Sequence, residues 1–361
     1  MPKPVVPPLH LSTTFRREPD GSYTDGYVYT RADNPNRRAL EQQLAELCGG
    51  STALAFASGM AAIHALFQTL KSGDHVLIPD DVYYNVRRLL DGVMQPWGLS
   101  YTAVDMTDLA AIKGAIQPNT KLIWVETPSN PQLKVTDIKA VCKLGEAAGA
   151  KVGVDNTWAT PILQRPLELG ADYVVHSSTK YFGGHSDVLG GAIVVRDDEE
   201  VVDRLRRVQH FGGAVPSPFD CYLVSRGLQS LRLRVLQQSR SAATLADYLD
   251  KHPAVEQVLY PGLKDHPGHE TTNEQSTGLG YGAMLSVCVK GGADTANQVA
   301  ERLQHFQTAT SLGGVESLVE HRRSVEGPDS LTPNNLLRLS VGIEPVEALV
   351  ADWERGLGVV G

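Results

Sequence analysis

Between Ala150 and Gly191 the sequence reads AKVGVDNTWATP, a short bridge, and ADYVVHSSTKYFGGHSDVLGG, running on into AIVV. Three runs here are rich in Val and Ile: Lys151–Asp155, Asp172–His176 and Ala192–Val195. Each is long enough for a buried strand and too short for a buried helix. Asp155 stands where the first run ends, and Lys180 stands a few residues beyond the second. In a parallel α/β sheet, ligands lie in the crevice outside the carboxyl ends of the strands. These two side chains are therefore expected at one such edge.

The same alternation extends upstream. Residues 2–33 read as an extended arm, and an arm without a core of its own needs another surface to lie on, such as a second subunit. Asn34-Pro35 opens a helix with Asn34 as cap; Leu40, Leu44 and Leu47 form its apolar stripe, and Gly49-Gly50 ends it. Thr52–Ala57, His75–Pro79 and Lys121–Glu126 are strand candidates, and Asp137–Ala148 is an amphipathic helix. Residues 121–155 then form a βαβ unit with a right-handed crossover. The pattern predicts an α/β fold: an arm over 1–40, a large, mainly parallel-sheet domain over 41–235, and a smaller α+β domain over 236–361. In the long helical stretch after Asp220, Gly227 marks a bend, and Arg232, Arg234 and Arg240 are expected on solvated or interface faces.

Charge narrows the partners. Lys+Arg number 33 against Asp+Glu 41, a net charge of −8 with no basic run, which argues against nucleic acid and anionic membrane. The proline-rich start lacks the apolar core of a signal peptide, and no apolar run reaches the roughly 20 residues that span a bilayer. Cys48, Cys142, Cys221 and Cys288 are scattered and form no CxxC pair. Four buried thiols in a cytoplasmic protein are expected, with neither disulfides nor a zinc site. His176 and His185 lack the carboxylate or cysteine spacing of metal ligands and are read as structural, so no metal is expected.

A carboxylate and an amine at one sheet edge suit a cofactor with a basic ring nitrogen and an aldehyde. Pyridoxal 5′-phosphate (PLP) has both: a lysine joins the aldehyde as a Schiff base, and an acid partners the pyridinium nitrogen. Ser58-Gly59-Met60 turns a strand into a helix and offers free backbone N–H groups to an anion. Ser177 and Thr179 flank Lys180 and could add hydroxyls to the same phosphate cup. Tyr83 and Tyr84 follow a strand, where either could stack on a flat ring, and the Asn-Pro turn of TPSNP leaves Asn130 at the same edge. Taken singly, Asp155 also reads as a turn or cap aspartate, Lys180 as a surface lysine, and Ser58-Gly59-Met60 as a plain capped helix. GLGYGA at 278–283 echoes a dinucleotide fingerprint but precedes a strand, which is the wrong context for one.

VDNTWATP followed by HSSTKYFGGHSDVLGG resembles the signature of the Cys/Met-metabolism PLP enzymes, the family of cystathionine γ-synthase, cystathionine β-lyase, cystathionine γ-lyase and methionine γ-lyase. YTRADNPNRRALE, AFASGMAAI, DDVY, VETPSNP, TSLGGVESL and LLRLSVGIE follow in the family's order. The resemblance implies the PLP-dependent transferase fold of aspartate aminotransferase type (fold type I) and a trans-sulfuration lyase or γ-synthase acting on an amino-acid substrate. A methionine γ-lyase, an O-acyl-homoserine sulfhydrylase or a non-catalytic PLP-binding protein would be the alternatives. It further implies Lys180 as the Schiff-base lysine, Asp155 as pyridinium partner, and Gly59, Met60, Ser177 and Thr179 as the phosphate cup. Tyr83 would stack on the ring and serve as acid or base, and Asn130 would lie near the phenolic oxygen. Tyr29 and Arg31 would reach the phosphate of a neighbouring subunit in a homotetramer built as a dimer of dimers. Arg338 would clamp the substrate carboxylate, with Ser317 near substrate and lysine and Glu316 beside it. Two segments depart from the family. After Tyr83, where many γ-acting members carry Gly-Gly-Thr or Gly-Cys-Thr, this chain has Tyr84-Asn85-Val86. Beyond Glu320, HRRSVEGPDSLTPNN replaces an HPASMTH-like run.

Overall fold

The structure, a computed structural model, describes residues 4–327 and 330–360, so the first three residues of the arm and Pro328-Asp329 of the 321–335 departure lie outside the described residues. Seven strands form the larger sheet: β1 (Thr52–Phe56), β2 (His75–Pro79), β3 (Ser100–Val104), β4 (Thr120–Glu126), β5 (Lys151–Asp155), β6 (Tyr173–His176) and β7 (Gly191–Val195). Their order is β1-β7-β6-β5-β4-β2-β3. β7 runs antiparallel to both of its neighbours, and the other pairings are parallel. β2, β6 and β7 are buried along their whole length, which is why they read as continuous apolar runs rather than alternating ones. β3 has no such signal: it is an edge strand, SYTAV, with no fully buried residue.

Helices cover both faces. The helix Pro35–Cys48 begins at the Asn34 cap, whose side chain accepts from Asn36 N, and ends at Gly49 with φ 74°. Ile138–Ala148 is capped by Asp137, which accepts from Ala140 N at 2.9 Å, and buries Ile138, Val141 and Gly145 against the sheet. In the core, Trp124 of β4 meets Phe67 edge-on with ring centroids 5.8 Å apart. Each such fully buried ring is worth roughly 1.5–3 kcal/mol of transfer free energy.

The second sheet comprises β8 (Val255–Leu259), β9 (Met284–Val289), β10 (Gln307–Thr308), β11 (Leu318–His321) and β12 (Leu336–Ser340), in the order β10-β11-β12-β9-β8. The helix Leu231–Asp250 leads the chain into it. A break at Gln229-Ser230 separates that helix from Pro218–Leu228, close to the bend read at Gly227. Gly227 serves packing: a Cβ there would sit 2.2 Å from Phe182 O.

Arg234 corrects its expected surface position. It is buried, donating to the Tyr181 and Gly227 carbonyls at 2.8 Å each, because the helix packs that face on the loop after Lys180. Arg232 and Arg240 are exposed. Cys142 likewise is only part-buried, whereas the other three thiols are buried. Among the described helices none is long and apolar enough to cross a membrane.

Candidate functional site

Where β4, β5 and β6 end, the larger sheet meets residues from the second sheet across a cavity of about 210 Å³. Ser58, Gly59, Met60, Tyr83, Asn130, Asp155, Ser177, Thr179, Lys180 and Arg338 all line it. Their convergence follows from topology. Asp155 is the last residue of β5, and Ser177 to Lys180 follow directly on β6, the adjacent parallel strand. Thr157 N–H donates to Asp155 Oδ1 at 3.0 Å, and Thr157 Oγ1 accepts from Ser177 N at 2.8 Å, which ties the two strand ends together.

One end of the cavity is built to receive an anion. The helix Gly59–Phe67 starts at Ser58, whose Oγ accepts from Ala61 N at 3.0 Å and whose carbonyl accepts from Ala62 N at 3.1 Å. The N–H groups of Gly59 and Met60 belong to the first turn and cannot be reached by a carbonyl of the helix itself. Gly59 also permits a close approach, since a Cβ there would lie 2.9 Å from Ser177 Cβ.

Lys180 brings an amine to the cavity. Its Nζ donates to Ser311 Oγ at 2.8 Å. Burial first, and the Arg338 guanidinium second, pull its amine down from 10.5 to about 8. Burial also raises Asp155 above the ordinary carboxylate range, opposed by its hydrogen bonds from Thr157. Its register partner Glu126, at the end of β4, is raised well above its ordinary value by burial and by the Asp155 charge. Glu126 accepts the Tyr83 N–H at 2.9 Å, so it fixes the backbone from which the Tyr83 ring enters the cavity.

Arg338, on β12, reaches the cavity from the second sheet. It donates to Asn130 Oδ1 at 3.2 Å, to Ser311 O at 3.0 Å and to Glu320 Oε2 at 2.7 Å. Its buried Nε has no hydrogen-bond partner among the described residues. A buried guanidinium with a donor to spare is suited to a carboxylate. Glu320 Oε2 also accepts from Arg322 at 2.9 Å, and Arg322 is held by Glu326 as well.

Four expected residues lie elsewhere. Ser317 faces away: its Oγ donates its proton to Glu344 at 2.8 Å and accepts from Gly342 N, and it does not line the cavity. Glu316 accepts from Ser186 outside the cavity. The serine beside the lysine is instead Ser311, six residues earlier in the same TSLGGVES run, held at φ 89° in the left-handed region. Tyr29 and Arg31 are exposed; Arg31 donates to His210 O at 2.6 Å and lies over the Tyr29 ring, and neither lines this chain's own cavity. His176 is buried, pushed down to about 3 by burial, and faces Cys48 Sγ at 3.6 Å. No group of three His, Cys, Asp or Glu among the described residues could hold a metal ion.

Sequence reasoning missed Glu126, Ser311, Glu320 and Arg322. The signals were present: a carboxylate ending an apolar strand, and an Arg-Arg pair inside the segment that departs from the family.

This donor set suits PLP. Free N–H groups and hydroxyls suit its phosphate, the Asp155 carboxyl its ring nitrogen, the Tyr83 ring its flat face, and the depressed Lys180 amine its aldehyde. The family model described as Cys/Met metabolism PLP-dependent enzyme matches residues 2–358. Cystathionine gamma-synthase of Mycobacterium tuberculosis is 48% identical over 357 residues, covering 97% of this chain and 91% of that protein. Cystathionine gamma-lyase of Dictyostelium discoideum is 43% identical over 361 residues, covering 98% and 92%. The crystal structure of metB from Corynebacterium glutamicum superposes with a TM-score of 0.96 at 46% identity, covering 99% of this chain and 94% of that one.

Proposed function

The chain belongs to the Cys/Met metabolism PLP-dependent enzymes, and from that membership we propose that it works at the C–S bond of L-cystathionine, in the direction that makes it. Its fold is the α/β architecture of the PLP-dependent cystathionine synthases and lyases. In the proposed γ-replacement, the Cγ–O bond of an activated L-homoserine ester breaks and its carboxylate leaves. A Cγ–S bond to L-cysteine forms, and the thiol proton is released. The observation that carries PLP-dependent amino-acid chemistry is the convergence of Lys180, Asp155 and Arg338 on one cavity. The choice of replacement leans on the synthase relative, which is more similar than the lyase.

When bound, PLP supplies an electron sink conjugated to the substrate's α-carbon. The chain's residues would supply the rest. Gly59, Met60, Ser58 and Ser177 would hold the phosphate, joined by Thr179 if its hydroxyl turned from the Gly190 carbonyl to which it donates at 3.1 Å; Asp155 would keep the ring nitrogen protonated, and Asn130 would lie by the phenolic oxygen. Tyr83 would cover the ring face. Arg338 would take the α-carboxylate through its spare Nε–H. Lys180, neutral above about 8, would remove the α-proton and carry a second one at Cβ. Tyr83 would serve as acid or base where the γ-substituent leaves.

The arm supports a shared site: Tyr29 and Arg31 would reach the phosphate in a neighbouring subunit of a homotetramer. We assign the chain to the cytoplasm, in keeping with its four free thiols.

Incubation with O-succinyl- or O-acetyl-L-homoserine plus L-cysteine tests the reading, with L-cystathionine alone as the second arm. Cystathionine formed from the ester is the expected product. 2-Oxobutyrate with cysteine from cystathionine and no synthesis would make the chain a γ-lyase, and pyruvate with homocysteine a β-lyase.

A further inference from the structure

The two segments that depart from the family meet at one side chain. Asn85 Nδ2 donates to the Tyr83 phenol at 2.8 Å. Tyr84 packs edge-on against Tyr83 with centroids 5.0 Å apart, and the Arg322 guanidinium lies 5.7 Å from the centre of the Tyr84 ring. Where the Gly-Gly or Gly-Cys of many γ-acting members cannot place a side-chain amide, this chain does. We propose that Asn85 is a positioning residue that, by donating to the Tyr83 oxygen, anchors the phenol so that its O–H is held toward the cavity and Tyr83 meets the departing γ-carboxylate as a hydrogen-bond donor.

A phenol has one proton to give and two lone pairs. The Asn85 amide takes one lone pair and anchors the oxygen beside Tyr84; a departing carboxylate can only accept, so it is the O–H that meets it. The titratable groups around it are Tyr84 on its own segment, Glu126 from β4, Asp155 from β5, Lys180 after β6, Arg322 after β11 and Arg338 from β12. Burial and Tyr84 keep the phenol above its ordinary value, while the Asn85 hydrogen bond and Arg322 work the other way. The proton therefore stays on the oxygen at neutral pH, and the phenol serves as a hydrogen-bond donor to the carboxylate, which departs as the anion.

The inference rests on the role given to Tyr83 above, and a double-mutant cycle separates the two. In the holoenzyme, kcat and KM are measured across pH for Asn85→Ala, Asn85→Asp and Tyr83→Phe, and for each Asn85 variant combined with Tyr83→Phe. Asn85→Ala should lower kcat roughly three- to tenfold with KM little changed. It should also move the limb that Tyr83→Phe abolishes to higher pH by about half a unit to one unit. Asn85→Asp has the same shape but accepts the phenol proton instead, and it should be worse than Asn85→Ala. Neither substitution should matter in the Tyr83→Phe background. In protein carrying 13C at the tyrosine Cζ, the Tyr83 resonance, identified by its loss in Tyr83→Phe, should titrate higher in both Asn85 variants. An Asn85→Asp enzyme as active as the wild type would show the amide accepting rather than donating and would overturn the proposal, as would an unmoved resonance. If Tyr83→Phe itself leaves turnover unchanged, the role assigned to Tyr83 falls, and this inference with it.

Discussion

Burial and the neighbouring Arg338 guanidinium hold the Lys180 amine at about 8, against 10.5 for an ordinary lysine, and that shift has a measurable sign. Between these values an unfolded chain binds a proton that the folded one does not, so stability rises with pH through that window. Below it the folded protein carries the full cost of a buried charge. Cofactor-stripped Lys180→Met should therefore be more stable than stripped wild type at pH 7 by up to about 3 kcal/mol, with the gap closing by pH 10.5. Chemical denaturation at the two pH values reads this directly, and an equal stability at pH 7 would mean that the amine is not desolvated. The same variant should have no turnover. Arg338→Lys keeps the charge but loses the planar fork, so the KM for the amino acid should rise about tenfold or more while kcat falls less. An unchanged KM would remove Arg338 from carboxylate binding.

Strand β7 shows how an element with no chemistry of its own governs the site. A Cβ on Gly191 would lie 2.2 Å from Ser58 O and 2.7 Å from Gly59 N, so the strand presses backbone to backbone on the turn that opens the anion-binding helix. Gly191→Ala must push that turn aside. PLP affinity should fall at least about tenfold and the melting temperature by several degrees. Ser58→Ala, which removes the cap and one hydroxyl of the proposed phosphate cup, should cost about 1 kcal/mol of stability. Dialysis against PLP-free buffer followed by the visible spectrum reads the PLP retained by each variant, and full retention by Gly191→Ala would refute the role of this contact. The central strands were legible from sequence because burial on both faces leaves runs such as KLIWVE and HVLIP with no polar interruption. β3 was not, since a half-exposed edge strand keeps its polar residues. Arg234 was misread because its charge says surface, while one carbonyl of the loop after Lys180 and one near the end of the preceding helix take its protons inside. Within the site, Lys180 and Asp155 could be read from their position after apolar runs. Ser311, Glu320 and Arg322 come from loops and a second sheet whose approach to the cavity no local pattern encodes. Ser317 misled for the converse reason: its neighbour Glu344 is invisible until the chain folds.

Considered as a whole, the molecule offers surfaces that one copy does not use. Val5, Leu11 and Val28 of the arm are exposed, and so is Phe211, beside the His210 carbonyl that Arg31 engages. Tyr29 and Arg31 sit among them, outside the chain's own cavity. An arm that completes a neighbour's site makes a prediction that no single-chain role shares. Lys180→Ala destroys the amine of its own cavity, whereas Arg31→Ala would weaken the cavity of the partner. If both variants are separately inactive or nearly so, mixing them and allowing subunits to exchange yields mixed dimers in which one cavity carries both defects and the other neither. With equal mixing, half of the dimers are mixed and each has one intact cavity, so about a quarter of wild-type turnover should return. Recovery should follow the rate of subunit exchange, read by mixing differently tagged copies. If exchange is complete and no turnover returns, Arg31 serves its own chain, and the arm does not complete the neighbour's site.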